Sequence, residues 1–150
     1  MTPMSSGVRE LRVWQESVAL GGDVIRAIRP GVRRETRGVS DAVMETALSV
    51  GCHIADGYAR PTALEQRESY LAAKRALLRL ESQLAVARHA DLLPAGAFTE
   101  LTARSGQAAR LLTGYVIYLD RQIAEEAERP GSAARPSGTA VSPGSARVPS

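Results

Sequence analysis

Between Leu11 and Ile123 the apolar residues recur at three- and four-residue spacing, and nowhere with the period of two that a half-buried strand needs. A chain patterned this way can hide its apolar stripes only by packing helix on helix. The first stripe is Leu11, Trp14, Val18, Gly21, Ile25 and Ile28. It ends at Arg29-Pro30-Gly31, because Pro30 cannot continue a helix and Gly31 can turn. The second helix is expected over about 40–58, with Val39, Val43, Ala47, Val50 and Ile54 in line and Met44, Leu48, Gly51 and Ala55 beside them. At about 100° per residue these positions cover half the circumference, so this helix should be the most buried. Gly57 and Pro61 close it, and Thr62 with Glu65 three residues later reads as a capping box for a third helix over 62–91. That helix carries Tyr70, Ala73, Leu77, Leu80, Leu84 and Ala87. Asp91-Leu92-Leu93-Pro94 turns the chain into a fourth, over 95–127, with Phe98, Leu101, Ser105, Ala108, Leu112, Tyr115, Leu119 and Ile123. Four amphipathic helices with short connections imply an all-α fold, an up-down-up-down antiparallel four-helix bundle over 9–127.

The ends differ from this middle. Residues 1–8 are small and without period, and 128–150 are rich in Pro, Gly, Ser and Ala; neither can bury enough apolar surface to offset its ordering entropy, so both are expected to be disordered. Aromatics are only 4% of a chain that is 44% hydrophobic, so the core must be aliphatic. The net charge of +3 permits an acidic partner without demanding one, and it is carried by arginine, Lys74 being the single lysine. Cys52 stands alone, so no intrachain disulfide can form and no Cys-x-x-Cys zinc pattern exists. No basic-then-apolar leader and no membrane-length apolar run is present, which makes a cytoplasmic protein with no membrane association the expectation.

The stretch Ser49–Thr62, SVGCHIADGYARPT, has the look of a site, with Cys52, His53 and Asp56 close together. A di-metal centre in a bundle needs a Glu-x-x-His pair on two helices. The chain has two histidines, and His89 is preceded at that spacing by Val86, so no metal is expected. A Cys-His nucleophile fails because adjacent residues on a helix diverge by about 100°. No Gly-rich phosphate loop follows a strand, so no cofactor and no enzymatic activity are expected. His53 and Asp56, at i and i+3, read instead as a polar flank that meets a neighbouring helix or subunit.

Two features exceed a generic bundle. Gly21, Gly51 and Gly57 occupy apolar positions, where each weakens its helix by about 1 kcal/mol yet lets backbones approach. The third helix also carries a second row, Leu64, Leu71, Leu78 and Ala85, at seven-residue spacing and about 130° from the core stripe. A row of exposed leucines points to self-association; the alternative is a wide core-facing surface covered by the tail.

The segments RELRVWQES and HIADGYAR resemble the four-helix-bundle proteins encoded within intervening sequences of bacterial 23S rRNA genes. The Leu-x-Val-Trp-Gln opening is met by Leu11, Val13, Trp14 and Gln15, and the end of the second helix by Ile54, Ala55, Gly57, Tyr58 and Arg60. His53 and Asp56 stand where relatives carry Asn and Glu. Thr62 and Glu65 match the start of the third helix, and Leu80, Glu81, Gln83 and Leu84 a later run, so the likeness spans about 9–123. The resemblance implies a homo-oligomer, a pentameric ring, with an RNA-binding accessory role suggested by the gene location. A related branch, the accessory proteins of diversity-generating retroelements, binds a reverse transcriptase and RNA through a basic surface, which gives the alternative reading. This chain departs from the family on the second helix, where Ala42, Met44 and Glu45 replace a basic run, and on the third, where Arg75-Ala76 replaces Gly-Ser. The remaining nucleic-acid candidates are Arg29, Arg33, Arg34 and Arg37 in the first connection and Arg60, Arg67, Lys74, Arg75 and Arg79 around the third helix. Read blandly, they are a solvated rim partly neutralised by Glu65 and Glu68. The combined expectation is a non-catalytic, homo-oligomeric accessory factor, with Leu64, Leu71, Leu78, His53 and Asp56 at the subunit contact.

Overall fold

The computed structural model describes residues 7–129. Of the tail expected over 128–150, residues 130–150 lie outside that range, as do the first six residues, while Glu128 is the last residue of α4 rather than part of a disordered tail. Within it the chain is helical, with four long helices: α1 (Arg12–Ile28), α2 (Arg37–Ala59), α3 (Ala63–His89) and α4 (Ala95–Glu128). No strand occurs among the described residues. Residues 7–9 add a helical turn inside the stretch expected to be disordered: Glu10 donates its N–H to the Gly7 carbonyl and the Gln15 amide donates to the Arg9 carbonyl at 2.7 Å.

Each helix starts and stops for local reasons. After α1, Pro30 and Gly31 tighten the chain into a short 3₁₀ turn, and a second one, Arg34–Thr36, leads into α2. The Thr62 hydroxyl caps α3 by accepting the Glu65 N–H at 3.1 Å. At the other end of α3, Asp91 takes a left-handed conformation (φ 63°), while the N–H groups of Leu92 and Asp91 return to the carbonyls of Ala87 and Arg88. This is a Schellman closure with aspartate in the place usually taken by glycine.

The helices form one bundle in which α1 packs on α2 and α4, and α3 packs on α2 and α4. Its centre is aliphatic: Leu20, Val24, Ile54, Leu77, Leu80, Leu84, Leu112 and Leu119 are all 1% exposed or less. Every residue of the expected α3 stripe is buried. The α1 stripe is rotated from the expected one: α1 buries Val13, Ser17, Leu20, Gly21, Val24 and Ile28, while Val18 is exposed and Trp14 and Ile25 flank the core. Small Ser17 and Gly21 face inward because α2 comes close there; a Cβ on Gly21 would lie 3.1 Å from the Ala47 carbonyl oxygen. Nor is α2 the most buried helix. It buries seven of its 23 residues, against six of 17 for α1, because Val39 and Leu48 face outward.

Candidate nucleic-acid and self-association surfaces

The fold divides the nine basic candidates between two places. Arg29, Arg33, Arg34 and Arg37 all lie on or beside the two 3₁₀ turns that join α1 to α2, and all four are exposed. None of them makes an ion pair among the described residues, and Glu35 is the single acid in that stretch. The first turn of α2 contains no acid, so the partial positive charge of the helix N-terminus adds to theirs. Arg88, from the last turn of α3, lines a recess with Pro30 and Gly31 and so joins the same end of the molecule. Nothing in the spacing of Arg88 could have announced this, since it is brought in by the packing of α3.

The remaining candidates belong to α3 and its approach. Arg67 is engaged: its Nε donates to Asp120 of α4 at 2.5 Å. Arg60, just beyond α2, is exposed, and its carbonyl accepts the Gln66 amide at 2.9 Å. Lys74 is half-buried. Arg75 and Arg79 are exposed and line an open groove of about 700 Å³ between α2 and α3, with Glu45, Thr46, Ser49, His53 and Ser82. Thus His53, an interface candidate, and two nucleic-acid candidates share one surface. Asp56 is not part of it; it is exposed and makes no hydrogen bond with His53. Cys52 is exposed. Among the described residues no group of three or more His, Cys, Asp or Glu side chains converges where a metal ion could sit.

The leucine row is uneven. Leu64 and Leu78 are 58% and 64% exposed, whereas Leu71 between them is half-buried and packs against the core. Further apolar groups are exposed elsewhere, Val18 and Leu48 lining a recess between α1 and α2 with Gly21, Gly22 and Gly51.

The motif residues at the start of α1 and the end of α2 gather at the opposite end from Arg29–Arg37, and what they do there is packing. Leu11 and Trp14 rest on the core, and Ile54 is fully buried. Gly57 presses against Tyr70, where a Cβ would come within 2.9 Å of Tyr70 Cε1, and Tyr58 stands over Gly7. Ala55 lies beside them, half-buried. The Tyr70 and Tyr115 rings sit 4.8 Å apart. Burial pushes both phenols above the ordinary tyrosine range, and the neighbouring Tyr115 adds to the shift of Tyr70. A second tie, Asp23 to Arg104, joins α1 to α4; the Arg104 guanidinium, with Arg26 beside it, holds the Asp23 carboxyl below the usual carboxylate range.

No helix among the described residues is long and apolar enough to cross a membrane. A family model described as "23S rRNA-intervening sequence protein" matches residues 9–114, which cover α1 to α3 and the first half of α4. No curated protein matches the chain.

Proposed function

The chain belongs to the 23S rRNA-intervening sequence protein family, and from that premise we propose that it is a non-catalytic, self-associating RNA-binding accessory protein of the cytoplasm, built as an up-down-up-down bundle. Paired contacts support the alternating helix directions. Gly51 meets Val18 while Ala47 meets Gly21, so residue numbers rise along α1 as they fall along α2. On α3 and α4, Arg67 meets Asp120 and Tyr70 meets Tyr115.

The observation that carries RNA binding is the end cluster Arg29, Arg33, Arg34 and Arg37: four exposed arginines beside a helix N-terminus that form no ion pair among the described residues. Guanidinium forks fit phosphate oxygens bidentately. A labelled single-stranded RNA oligonucleotide tests this by fluorescence anisotropy over a salt series. With four phosphates engaged, the slope of log affinity on log salt is about −3, so a fourfold rise in salt weakens binding roughly 50-fold. Changing all four arginines to glutamine removes that slope. Wild-type protein without affinity at low salt, or a variant that keeps the slope, overturns the assignment.

Self-association rests on the exposed Leu64 and Leu78. The paired change Leu64→Asp and Leu78→Asp is expected to reduce the particle to one chain's 16.0 kDa in light scattering, with helicity intact. Leu71 is left out of this test because it packs on the core. Leu48→Asp, at another exposed leucine, should leave the mass as it is. An unchanged mass in the double variant sinks the α3 face as the contact.

A further inference from the structure

We infer that the groove between α2 and α3 is a binding site for a nucleoside phosphate, with the ring of the base in an aliphatic recess and the phosphates on Arg79 and Arg75. Residue numbers fall along α3 as they rise along α2: Gly57 meets Ser69 and Tyr70, while Val39 and Val43 share a recess with Gln83 and Val86. Two spaces follow one another along this seam and have Ser82 in common. The first, of about 400 Å³, is walled by Val39, Ala42 and Val43 of α2 and by Val86 of α3, and both Val39 and Val86 are exposed. The second is the groove of about 700 Å³ that holds Arg75, Arg79 and Glu45. By the same register Glu45 lies towards Ser82 and His53 towards Arg75, so the acid is nearest the recess and the basic groups are further along.

The two walls of the groove offer different things. On α3, Arg75 and Arg79 stand one turn apart, both exposed and neither in an ion pair among the described residues. They form a strip of guanidinium forks matched to phosphate oxygens. Beside them α3 presents Ala72 and Ala76, whose short side chains leave the strip open. On α2 the facing groups are acceptors. The Thr46 hydroxyl donates to the Ala42 carbonyl at 3.0 Å and the Ser49 hydroxyl to the Thr46 carbonyl at 2.8 Å, so both oxygens turn lone pairs to a ligand, as the Glu45 carboxylate does. Gln83, half-buried at the recess, has an amide oxygen that accepts no hydrogen bond among the described residues. Its broad terminal torsion lets that oxygen turn to a donor entering the recess. A ligand that satisfies the whole seam therefore carries an apolar face, then N–H or O–H donors, then an anion. A nucleoside phosphate has these in that order, as ring, ribose hydroxyls and phosphate. An acyl carboxylate brings no donor for the α2 wall, and a sugar phosphate brings nothing for the recess. Gln83 lies four residues from Arg79 and eight from Arg75, about 6 and 12 Å of helix rise, which sets a first phosphate on Arg79 and a second on Arg75. The site uses none of the four end arginines, so it stands or falls apart from the RNA-binding reading.

Isothermal titration calorimetry of the full chain with ADP, GDP, CDP and UDP tests this, with pyrophosphate and ribose 5-phosphate as the parts. Saturable binding of at least one nucleoside diphosphate is expected, about tenfold or more tighter than either part, because ring and phosphates each add contacts. The paired change Arg75→Gln and Arg79→Gln is expected to weaken that binding about tenfold or more. Val86→Glu, which sets an acid in the recess, is expected to weaken it as well. These positions are exposed on a helix and the replacements are good helix formers, and circular dichroism verifies that each variant keeps its helicity. The variant with all four end arginines changed to glutamine is expected to bind the nucleotide as the wild type does, even as it loses affinity for the RNA oligonucleotide. Competition with a short RNA carrying a 5′-diphosphate identifies the source: displacement at equal concentration assigns the groove to an RNA end, and displacement only in large excess assigns it to a free nucleotide. No saturable binding, or full affinity in the Arg75→Gln, Arg79→Gln variant, overturns the site. Pyrophosphate that binds as tightly as every diphosphate leaves the recess without a role and overturns the nucleoside part. Loss of nucleotide binding in the end-arginine variant would move the ligand out of the groove altogether.

Discussion

Gly57→Val is expected to destabilise the protein by about 3 kcal/mol, at the upper end of what overpacking a core costs. A Cβ at this position would lie 2.9 Å from Tyr70 Cε1, 3.0 Å from Ser69 Cβ and 3.1 Å from Tyr70 Cζ. The obstacle is a ring rather than the end of a flexible chain. Tyr70 is 1% exposed and its other side rests on Tyr115 at 4.8 Å, so it has nowhere to retreat. Against the clash stands only the helix propensity gained by replacing glycine, less than about 1 kcal/mol for a β-branched residue. The clash therefore decides the sign. Urea denaturation followed by circular dichroism measures the loss, and a double-mutant cycle with Tyr70→Leu assigns it. If the ring is the obstacle, Gly57→Val costs much less in the Tyr70→Leu background. A Gly57→Val protein as stable as wild type would mean that α2 and α3 do not meet as closely as this contact requires.

The same contact shows how much of the fold could be read in advance. Helix number, the turns at Pro30 and Pro94, the Thr62 cap and every inward residue of α3 but Ala76 follow from spacing and from residues with one local use. Phase was less legible. Both Leu11-Trp14-Val18 and Val13-Ser17-Leu20 have helical spacing, and the choice between them depends on Ser17 and Gly21 being small where α2 approaches. A hydrophobicity pattern gives a small polar residue no credit for that. Asp91 closes α3 in a conformation usually left to glycine, and its sequence neighbours carry no sign of it. Arg67 looked like a free cation because its partner, Asp120, lies 53 residues away. The sequence sorts the site residues by type: the leucines, His53 and Asp56 to a subunit contact, the basic residues to nucleic acid. Only the packed helices show that Arg75, Arg79 and His53 share a groove and that Arg75 and Leu78 share a face. The seven-residue leucine spacing is visible in the sequence; that its middle member, Leu71, packs on the core while Leu64 and Leu78 stay exposed is not.

Leu84→Ala and Leu48→Ala make the same chemical change and are expected to differ in cost by several kcal/mol. Leu84 is fully buried in the middle of the bundle, so removing its isobutyl group loses the transfer free energy of those atoms and leaves a void that rigid helices fill only in part. The expected loss is about 2–5 kcal/mol, a large share of the roughly 5–15 kcal/mol that holds a domain of this size together. Leu48, one strong apolar position in the α2 pattern, is 62% exposed, and its truncation should change stability by no more than about 0.5 kcal/mol. Denaturation midpoints of the two variants at low protein concentration therefore read out that Leu84 of α3 faces the core while Leu48 of α2 does not. Concentration then adds a further reading. A Leu48→Ala cost that grows with protein concentration would place the recess between α1 and α2 in a subunit contact, since stability drawn from association depends on mass action. A large cost that is the same at every concentration would instead put Leu48 inside the bundle, and its outward placement on α2 would have to be given up.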